Sequence, residues 1–548
     1  MSFWLTSGAP PLIYGDPFSF IVDCDRSHTS MSTYNLLDEP WIPVRWGANA
    51  GAPPPSDQPL RIGLKELLRR SQELAGLAVS EPPAHAALLR ILYALTARVT
   101  GLDCAGATDW GERREMVQDA GCLPLDGIDE YVSRYHHRFF AFDPDGGRPW
   151  MQDARLATQC DPKKSAGVNK LIVTRPSGNN HAWFRHGTDA SPDLPGVPEA
   201  VMNLLIWHYW GPSGRCSARE VNGVSSANTA AGPLRTALSY HPEGGSLFET
   251  LLAGLLPPST SVNPDQDQCP WEWEDMPDPA GEPRLPTGPC SRWTACSQHA
   301  LLLVQDEEDP ELVRDAFITW AYRTGRIPRD DAYLIWQTSQ QNHPYPRPAD
   351  SRRALWRDLD ALLLHHPVGS AQPKHPRVFD SAAEVSEDLR VRALGFEQDG
   401  QARDIQFVDA STPPVLGFVE AKSPHTAPAV ATLRQLGERY GFRLRRAVKQ
   451  AWAAYREDPK AKADTWVKEA EARYWPGAEE EFWARFRRLD QTGQVLNAGL
   501  DEAAARRAFL RIAEDAYDTV TRTVVRTQRG ARAVADARLI LRRPGQST

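Results

Sequence analysis

Two rows of arginine have the spacing that most directly suggests chemistry. Arg522, Arg526 and Arg529 recur at i, i+4 and i+7, and Arg439, Arg443 and Arg446 repeat the pattern, so on a continuous helix each row lies along one face. Guanidinium groups in a row can track phosphates. Each phosphate neutralised releases counterions, which gives affinity without sequence preference and a steep dependence on salt. The rival reading is a solvated helical face whose arginines pair with Glu and Asp. The formal net charge is −8 over 548 residues, yet from Thr426 onward 24 Lys and Arg stand against 16 Asp and Glu. A basic module therefore follows an acidic body, and the overall sum does not exclude a polyanionic partner.

Groups able to break bonds are harder to assemble. No GxxxxGKS, GxxxxGKT, HExxH or GxSxG occurs, nor a His-Asp dipeptide of the kind that opens metal-dependent phosphohydrolase sites. His136-His137 and His365-His366 lack carboxylates at metal-ligand spacing. Asp143-Pro144-Asp145-Gly146 opens like a calcium loop without its terminal Glu, which suits a turn before Arg148-Pro149-Trp150-Met151. The eight cysteines include no CxxC pair; Cys290, Cys296 and His299 come nearest to a metal cluster and lack a fourth ligand at usual spacing. Buried reduced thiols are the expectation, with no metal and no other cofactor. A chain that cut nucleic acid would have to hold its metal on scattered carboxylates such as Asp330, Asp331 and Asp404.

These groups need elements to hold them. With 41% hydrophobic residues and 18 Trp, the chain can bury a core sufficient for two to four domains. No apolar run reaches the ~18 residues that cross a bilayer, and Leu12 to Val22 is broken by Gly15, Asp16 and Pro17. A cytoplasmic chain with no membrane partner is expected. The first thirty residues are polar and turn-rich, and the folded pattern begins just after Met31, so Met1 and Met31 are alternative starts, and with Met31 as the start 1–30 is a non-native upstream extension. From there to about residue 420, β-like runs (Leu171 to Thr174, Ala300 to Val304, Ile405 to Val408) mix with helical stretches (His85 to Val99, Ala200 to Tyr209, Leu247 to Leu256). Pro257 to Pro289, rich in Pro, Asp and Glu, reads as a poorly ordered surface insertion. After Pro428 proline nearly vanishes and apolar residues take helical spacing, as at Val448, Trp452 and Tyr455. Helices are expected near 427–456, 462–489, 500–528 and 531–543. The fold class is thus α+β, a large mixed α/β domain over 31–420 and a C-terminal antiparallel four-helix bundle over 425–548.

The landmarks also fall in a familiar order. Asn35-Leu36-Leu37-Asp38-Glu39-Pro40-Trp41-Ile42-Pro43-Val44 comes first, then Arg148-Pro149-Trp150-Met151-Gln152, Ser246-Leu247-Phe248-Glu249-Thr250-Leu251-Leu252, Arg292-Trp293-Thr294 and Leu394-Gly395. This order resembles the CasA family, the large subunit of type I-E CRISPR surveillance complexes (Cascade), over essentially Met31 to Arg543. The resemblance implies a non-catalytic subunit that inspects duplex DNA for a protospacer-adjacent motif from the minor groove and helps open the strands. Guide pairing would supply sequence specificity, and the degenerate minor-groove pattern would explain tolerance of related motifs. The implied partners are double-stranded target DNA, the CRISPR guide RNA, the backbone and small Cascade subunits, and a helicase-nuclease effector that does the cutting. The alternatives are a metal-dependent nuclease of a defence system and a purely architectural subunit.

Carried over residue by residue, the resemblance places the wedge glutamine that parts the first base pair at Gln401, where an amide can hydrogen-bond base edges. The glycine-rich loop that approaches the minor groove falls on Asn222-Gly223-Val224-Ser225-Ser226-Ala227-Asn228. Only Gly223 remains there of a glycine run, with Ser225, Ser226 and Ala227 small enough for close approach and Asn222 or Asn228 able to donate. The basic finger falls before His343-Pro344-Tyr345-Pro346, where no lysine stands between Val304 and Pro367. Arg326, Arg329 or Arg347 would replace it, with a planar fork in place of a compact ammonium. Ile172, Val173, Thr174 and Arg175 match the loop that docks the subunit on the guide's 5′ handle and neighbouring subunits, near Lys163, Lys164 and Lys170. The two arginine rows would guide the displaced strand.

Overall fold

A helix that is apolar on every side is stable only when surrounded. Helix α1 (Pro82–Thr100) has that pattern, and every one of its residues except Arg98 is buried. Pro82 at its first position and Gly101 just beyond it, with φ at 68°, fix the two ends. The computed structural model describes residues 34–47, 60–104, 106–142, 147–175, 191–258, 263, 265–365, 373–398, 403–490 and 495–542. The expected upstream extension, the Asp143-to-Gly146 turn and Gln401 lie outside them. Among the described residues, no helix is long and apolar enough to cross a membrane.

α1 packs on its neighbour α2 (Val197–Trp210), and strands formed by residues 299–305, 390–398 and 404–411 pack against this pair of helices. β1 (Ile42–Trp46) lies between β2 (Arg61–Ile62) and β3 (Leu74–Leu77). β4 (Gly214–Val221) pairs with β5 (Val224–Thr229), while β6 (Leu238–Glu243) waits for a partner from far along the chain. β7 (His299–Gln305) pairs with β8 (Val313–Trp320), and β9 (Trp336–Thr338) with β10 (Pro344–Pro346). β11 (Arg390–Gln398) then inserts between β6 and β12 (Asp404–Ser411). Gly395 permits this pairing, because a Cβ there would come 2.9 Å from the Ala237 carbonyl oxygen.

Two expectations for this part need correction. Leu171 to Thr174 is not a strand, since Val168–Leu171 is a single helical turn. Side chains of α2, not a neighbouring strand, meet its polar groups: the Trp207 indole donates to the Leu171 carbonyl at 2.8 Å, and Asn203 Oδ1 accepts from Val173 N at 3.0 Å. Nor are residues 265–289 a loose insertion. Cys269 and Trp271 are buried, and the Asp267 carboxylate accepts from Cys290 N at 3.0 Å and Ser291 N at 2.8 Å, at the start of the next helical turn. Two of the acids there are engaged inside, Asp267 and Glu272, the latter with Arg98 at 2.7 Å, while Asp265, Glu274, Asp275, Asp278 and Glu282 are exposed.

The C-terminal region is helical: α3 (Thr426–Arg456), α4 (Asp464–Phe486), α5 (Glu502–Thr521) and α6 (Gln528–Arg542), with α3 packed on each of the other three. Two glycines in α3 make room for aromatic rings. A Cβ at Gly437 would lie 2.6 Å from the Trp356 ring, and one at Gly441 2.4 Å from Trp475. Trp356 comes from before the helices, so the hydrophobic core runs from Tyr34 to Leu541 without a break. Ion pairs reinforce the contact: Arg357 bonds Glu438 at 2.6 Å, and Arg434 bonds Asp360.

α5 stops at Thr521, short of the expected 528, because the next residues resist helix. Thr521, Thr523, Val524, Val525 and Thr527 are β-branched. The chain instead makes one 3-10 turn, Val524–Arg526, and Thr527 Oγ1 accepts from Gly530 N at 3.1 Å as the next helix starts. A Cβ on Gly530 would lie 1.8 Å from the Val524 carbonyl oxygen. Gly530→Ala is therefore expected to destabilise the chain by roughly 1–3 kcal/mol, the usual cost of overpacking. An unchanged denaturant midpoint for that variant would show that the junction relaxes freely.

Candidate nucleic-acid interface

β4 and β5 are joined by only two residues, Asn222 and Gly223, with Val221 opposite Val224. Both have positive φ, 54° and 73°, as a type I′ turn requires and as Asn-Gly adopts with little strain. The expected loop over 222–228 is therefore a hairpin: Asn222 and Gly223 form its turn, while Ser225, Ser226, Ala227 and Asn228 belong to β5. The turn is exposed, and Val224 beside it is 50% exposed.

Long-range bonds hold the hairpin near its turn. Three residues before Asn222, fully buried Arg219 donates to Asp153 Oδ2 at 2.7 Å, Gln159 Oε1 at 2.8 Å and the Trp320 carbonyl at 3.1 Å. The Trp320 indole in turn donates to the Ser226 carbonyl at 2.9 Å. At the tip, Arg323 donates to the carbonyls of Val221 at 2.8 Å and Val224 at 3.1 Å, one on each side of the turn. Arg323 begins a loop that carries Arg326 and Arg329, both exposed and, among the described residues, in no ion pair. Partial desolvation by the surrounding protein, together with the charge of Arg326, holds the Arg329 guanidinium below its usual range. The structure thus brings two separately expected elements together, through a residue that the sequence did not single out. Arg347, the third candidate, does not join them. It bonds Asp358, which also accepts from the Tyr240 hydroxyl at 3.1 Å, so its charge is used inside the protein.

The two arginine rows fare differently. Arg439 and Arg446 are exposed on α3, and half-buried Arg443 donates to the Leu541 carbonyl at 3.3 Å. None of the three makes an ion pair among the described residues, whereas Arg445 on the same helix is paired with Glu471. The row of Arg522, Arg526 and Arg529 does not survive as one face, because α5 ends before Arg522 and α6 begins after Arg526. Arg529 also pairs with Glu457 at 3.3 Å and lies over the Tyr455 ring.

Residues 35–517 match the model of the family described as CRISPR-associated protein Cse1. The chain belongs to that family. A chain of a CRISPR RNA-guided surveillance complex superposes on it with a TM-score of 0.81 at 37% identity, covering 93% of this chain and 100% of that one. Thermobifida fusca Cse1 shares the fold at 20% identity, with a TM-score of 0.70 and coverage of 93% and 98%. The CasA/Cse1 protein of Thermus thermophilus is 31% identical over 245 residues, 44% of this chain and 43% of that relative, so the aligned stretch spans under half of the relative's length.

In this member of the Cse1 family the expected docking loop turns mostly inward. Ile172 and Arg175 are buried, and Arg175 lies 3.7 Å from Glu199 Oε2, which leaves Thr174 as the exposed residue among the four. Val173 is half-buried, with its amide bonded to α2. Lys163 and Lys164 are exposed nearby, but burial lowers the pKa of Lys170. The scattered carboxylates are each engaged by different arginines. Asp330 bonds Arg292 at 2.7 Å and Arg377 at 2.6 Å, Asp331 bonds Arg90 at 2.8 Å, and Asp404 bonds Arg235 at 3.1 Å. Cys290, Cys296 and His299 likewise turn to separate carbonyls, those of Ala94, Arg292 and Pro212. Among the described residues, no group of three His, Cys, Asp or Glu is placed to hold a metal ion.

Proposed function

We propose that this chain is the motif-sensing large subunit of a type I-E RNA-guided surveillance complex and leaves strand cutting to another protein. One observation carries the reading: Arg323 ties an exposed Asn-Gly turn to the loop bearing Arg326 and Arg329, whose charges no acid among the described residues meets. A two-residue Asn-Gly turn between Val221 and Val224 is slim enough for the minor groove, and guanidinium groups are drawn to the potential found there. Gln401, which falls between β11 and β12 in the chain, is the proposed wedge. The helical region is read as an antiparallel four-helix bundle, whose α3 arginines guide the displaced strand. Guide RNA and the other subunits would position the chain, and the opened target would recruit the helicase-nuclease. The likeness to a chain of an RNA-guided surveillance complex, at 37% identity over 93% of this chain, supports the assembly.

The test uses the assembled complex with its guide RNA, on targets carrying the correct or a scrambled flanking motif. Joint Arg326→Ala and Arg329→Ala is expected to weaken binding of the motif-bearing target by roughly 10- to 100-fold, the scale of removing one or two side-chain bonds to bases. Gln401→Ala is expected to bind the motif but leave the first base pairs closed, read as absent permanganate reactivity of thymines. Unchanged discrimination together with unchanged opening would refute the assignment.

A further inference from the structure

The face of α3 that carries the unpaired arginines also carries a bare aromatic ring. Phe442 is 59% exposed, although its neighbours Tyr440 and Leu444 are buried in the helical core. It stands three residues after Arg439 and four before Arg446, so the three side chains share one side of the helix. The Arg446 guanidinium lies 5.8 Å from its ring centroid. Lys449, a further turn along, is exposed as well. Arg439, Arg446 and Lys449 make no ion pair among the described residues, while Arg434 and Arg445 of the same helix are paired with Asp360 and Glu471. A phenyl ring is thus flanked by uncompensated cations along about 15 Å of helix, at 1.5 Å per residue.

That combination fits one kind of ligand. A double helix offers phosphates but keeps its base faces stacked inside. An unpaired strand offers both, and binding sites for single strands combine cations along the backbone with aromatic rings on which bases stack. A guanidinium beside the ring adds a cation–π contribution. We infer that Phe442 is a stacking platform for one base of single-stranded DNA, with Arg439, Arg446 and Lys449 holding the phosphates on either side. The inference rests on the strand-guiding role proposed for α3 and adds to it a contact made with the base.

The full-length chain is titrated with an oligothymidylate and with an abasic strand of equal length and charge. Phe442→Ala is expected to weaken the oligothymidylate about tenfold, the scale of one base–aromatic stack, and to leave the abasic strand unaffected. Phe442→Trp is expected to retain the oligothymidylate. Arg439→Ala with Arg446→Ala should weaken both strands. Equal weakening of both strands by Phe442→Ala, or of neither, overturns the stacking role while the arginine face stands. A loss of assembly into the complex with strand binding unchanged would make the ring a subunit contact and also overturn it. If instead the arginine variant binds both strands as before, the strand-guiding reading itself falls.

Discussion

Replacing Arg219 by alanine is expected to cost about 3–5 kcal/mol of stability, the range found when one partner of a buried ion pair is removed. The reason lies in what the change would leave behind. Arg219 is fully buried and meets three acceptors on three different segments, Asp153, Gln159 and the Trp320 carbonyl. Without it, the Asp153 carboxylate stays inside with only Arg155, at 2.8 Å, to balance it. Burial alone would raise the pKa of Asp153, but Arg155 and Arg219 outweigh it and hold the group below the ordinary carboxylate range. A carboxylate whose pKa is lowered by folding stabilises the protein above its unfolded value, near pH 4, and that contribution is lost as pH falls through the folded value. Wild-type stability should therefore be flat near neutrality on this account and decline in acid. The Arg219→Ala chain should begin lower and show a smaller acid-dependent loss. Urea unfolding at several pH values reads both quantities, and amide exchange in β4 and β5 shows whether the hairpin loosens first. A variant within about 1 kcal/mol of wild type at pH 7 would mean that water or a neighbour takes over the site, contrary to the cost of an unmatched buried charge.

How much of this the sequence discloses depends on how far apart the partners stand. The helices follow from local signals: apolar spacing places α1, α2 and α3 nearly to their ends. The Asn-Gly dipeptide is a local signal too, and the strongest short-range mark of a hairpin. The family's pattern argues instead for a loop over Asn222 to Asn228, and that reading hides the turn. The Thr521-to-Thr527 run of β-branched residues likewise announces the break between α5 and α6, yet the arginine spacing suggests a continuous face. Composition misleads at Pro257 to Pro289, since counts of Pro and acid cannot show that Asp267 and Glu272 are bonded inside. Arg219, Arg323 and the pairing of Asp330, Asp331 and Asp404 with arginines carry no such signal at all. Their partners lie 38 to more than 200 residues away in the case of Asp330 and Asp331, and only the fold selects them.

The same distinction between local spacing and final placement separates the two arginine rows in solution. Joint replacement of Arg439, Arg443 and Arg446 by alanine is expected to reduce the slope of log affinity against log salt by about 2 for single-stranded DNA, at roughly 0.7 per phosphate contact. Affinity at physiological salt should fall by about 10- to 1,000-fold, since every phosphate left unneutralised keeps its counterions. The effect should be specific to arginines whose charge the protein leaves open. Arg445 is answered by Glu471, and Arg542 by Glu514 at 2.6 Å, so alanine at those two positions removes a surface pair and should leave the slope near wild type. Arg522, Arg526 and Arg529 form the intermediate case. They are divided between the end of one helix and the start of the next, and Arg529 is already paired with Glu457, so their joint replacement should change the slope by less than the α3 triple does. Arg443 also meets the Leu541 carbonyl, so Arg443→Gln, which keeps a donor while removing the charge, separates a missing phosphate partner from a loosened α6. Salt titrations of these variants against one oligonucleotide give the ordering directly. If the paired arginines lower the slope as much as the α3 triple, ionic compensation inside the protein does not decide which cations reach the strand, and the assignment of the α3 face fails.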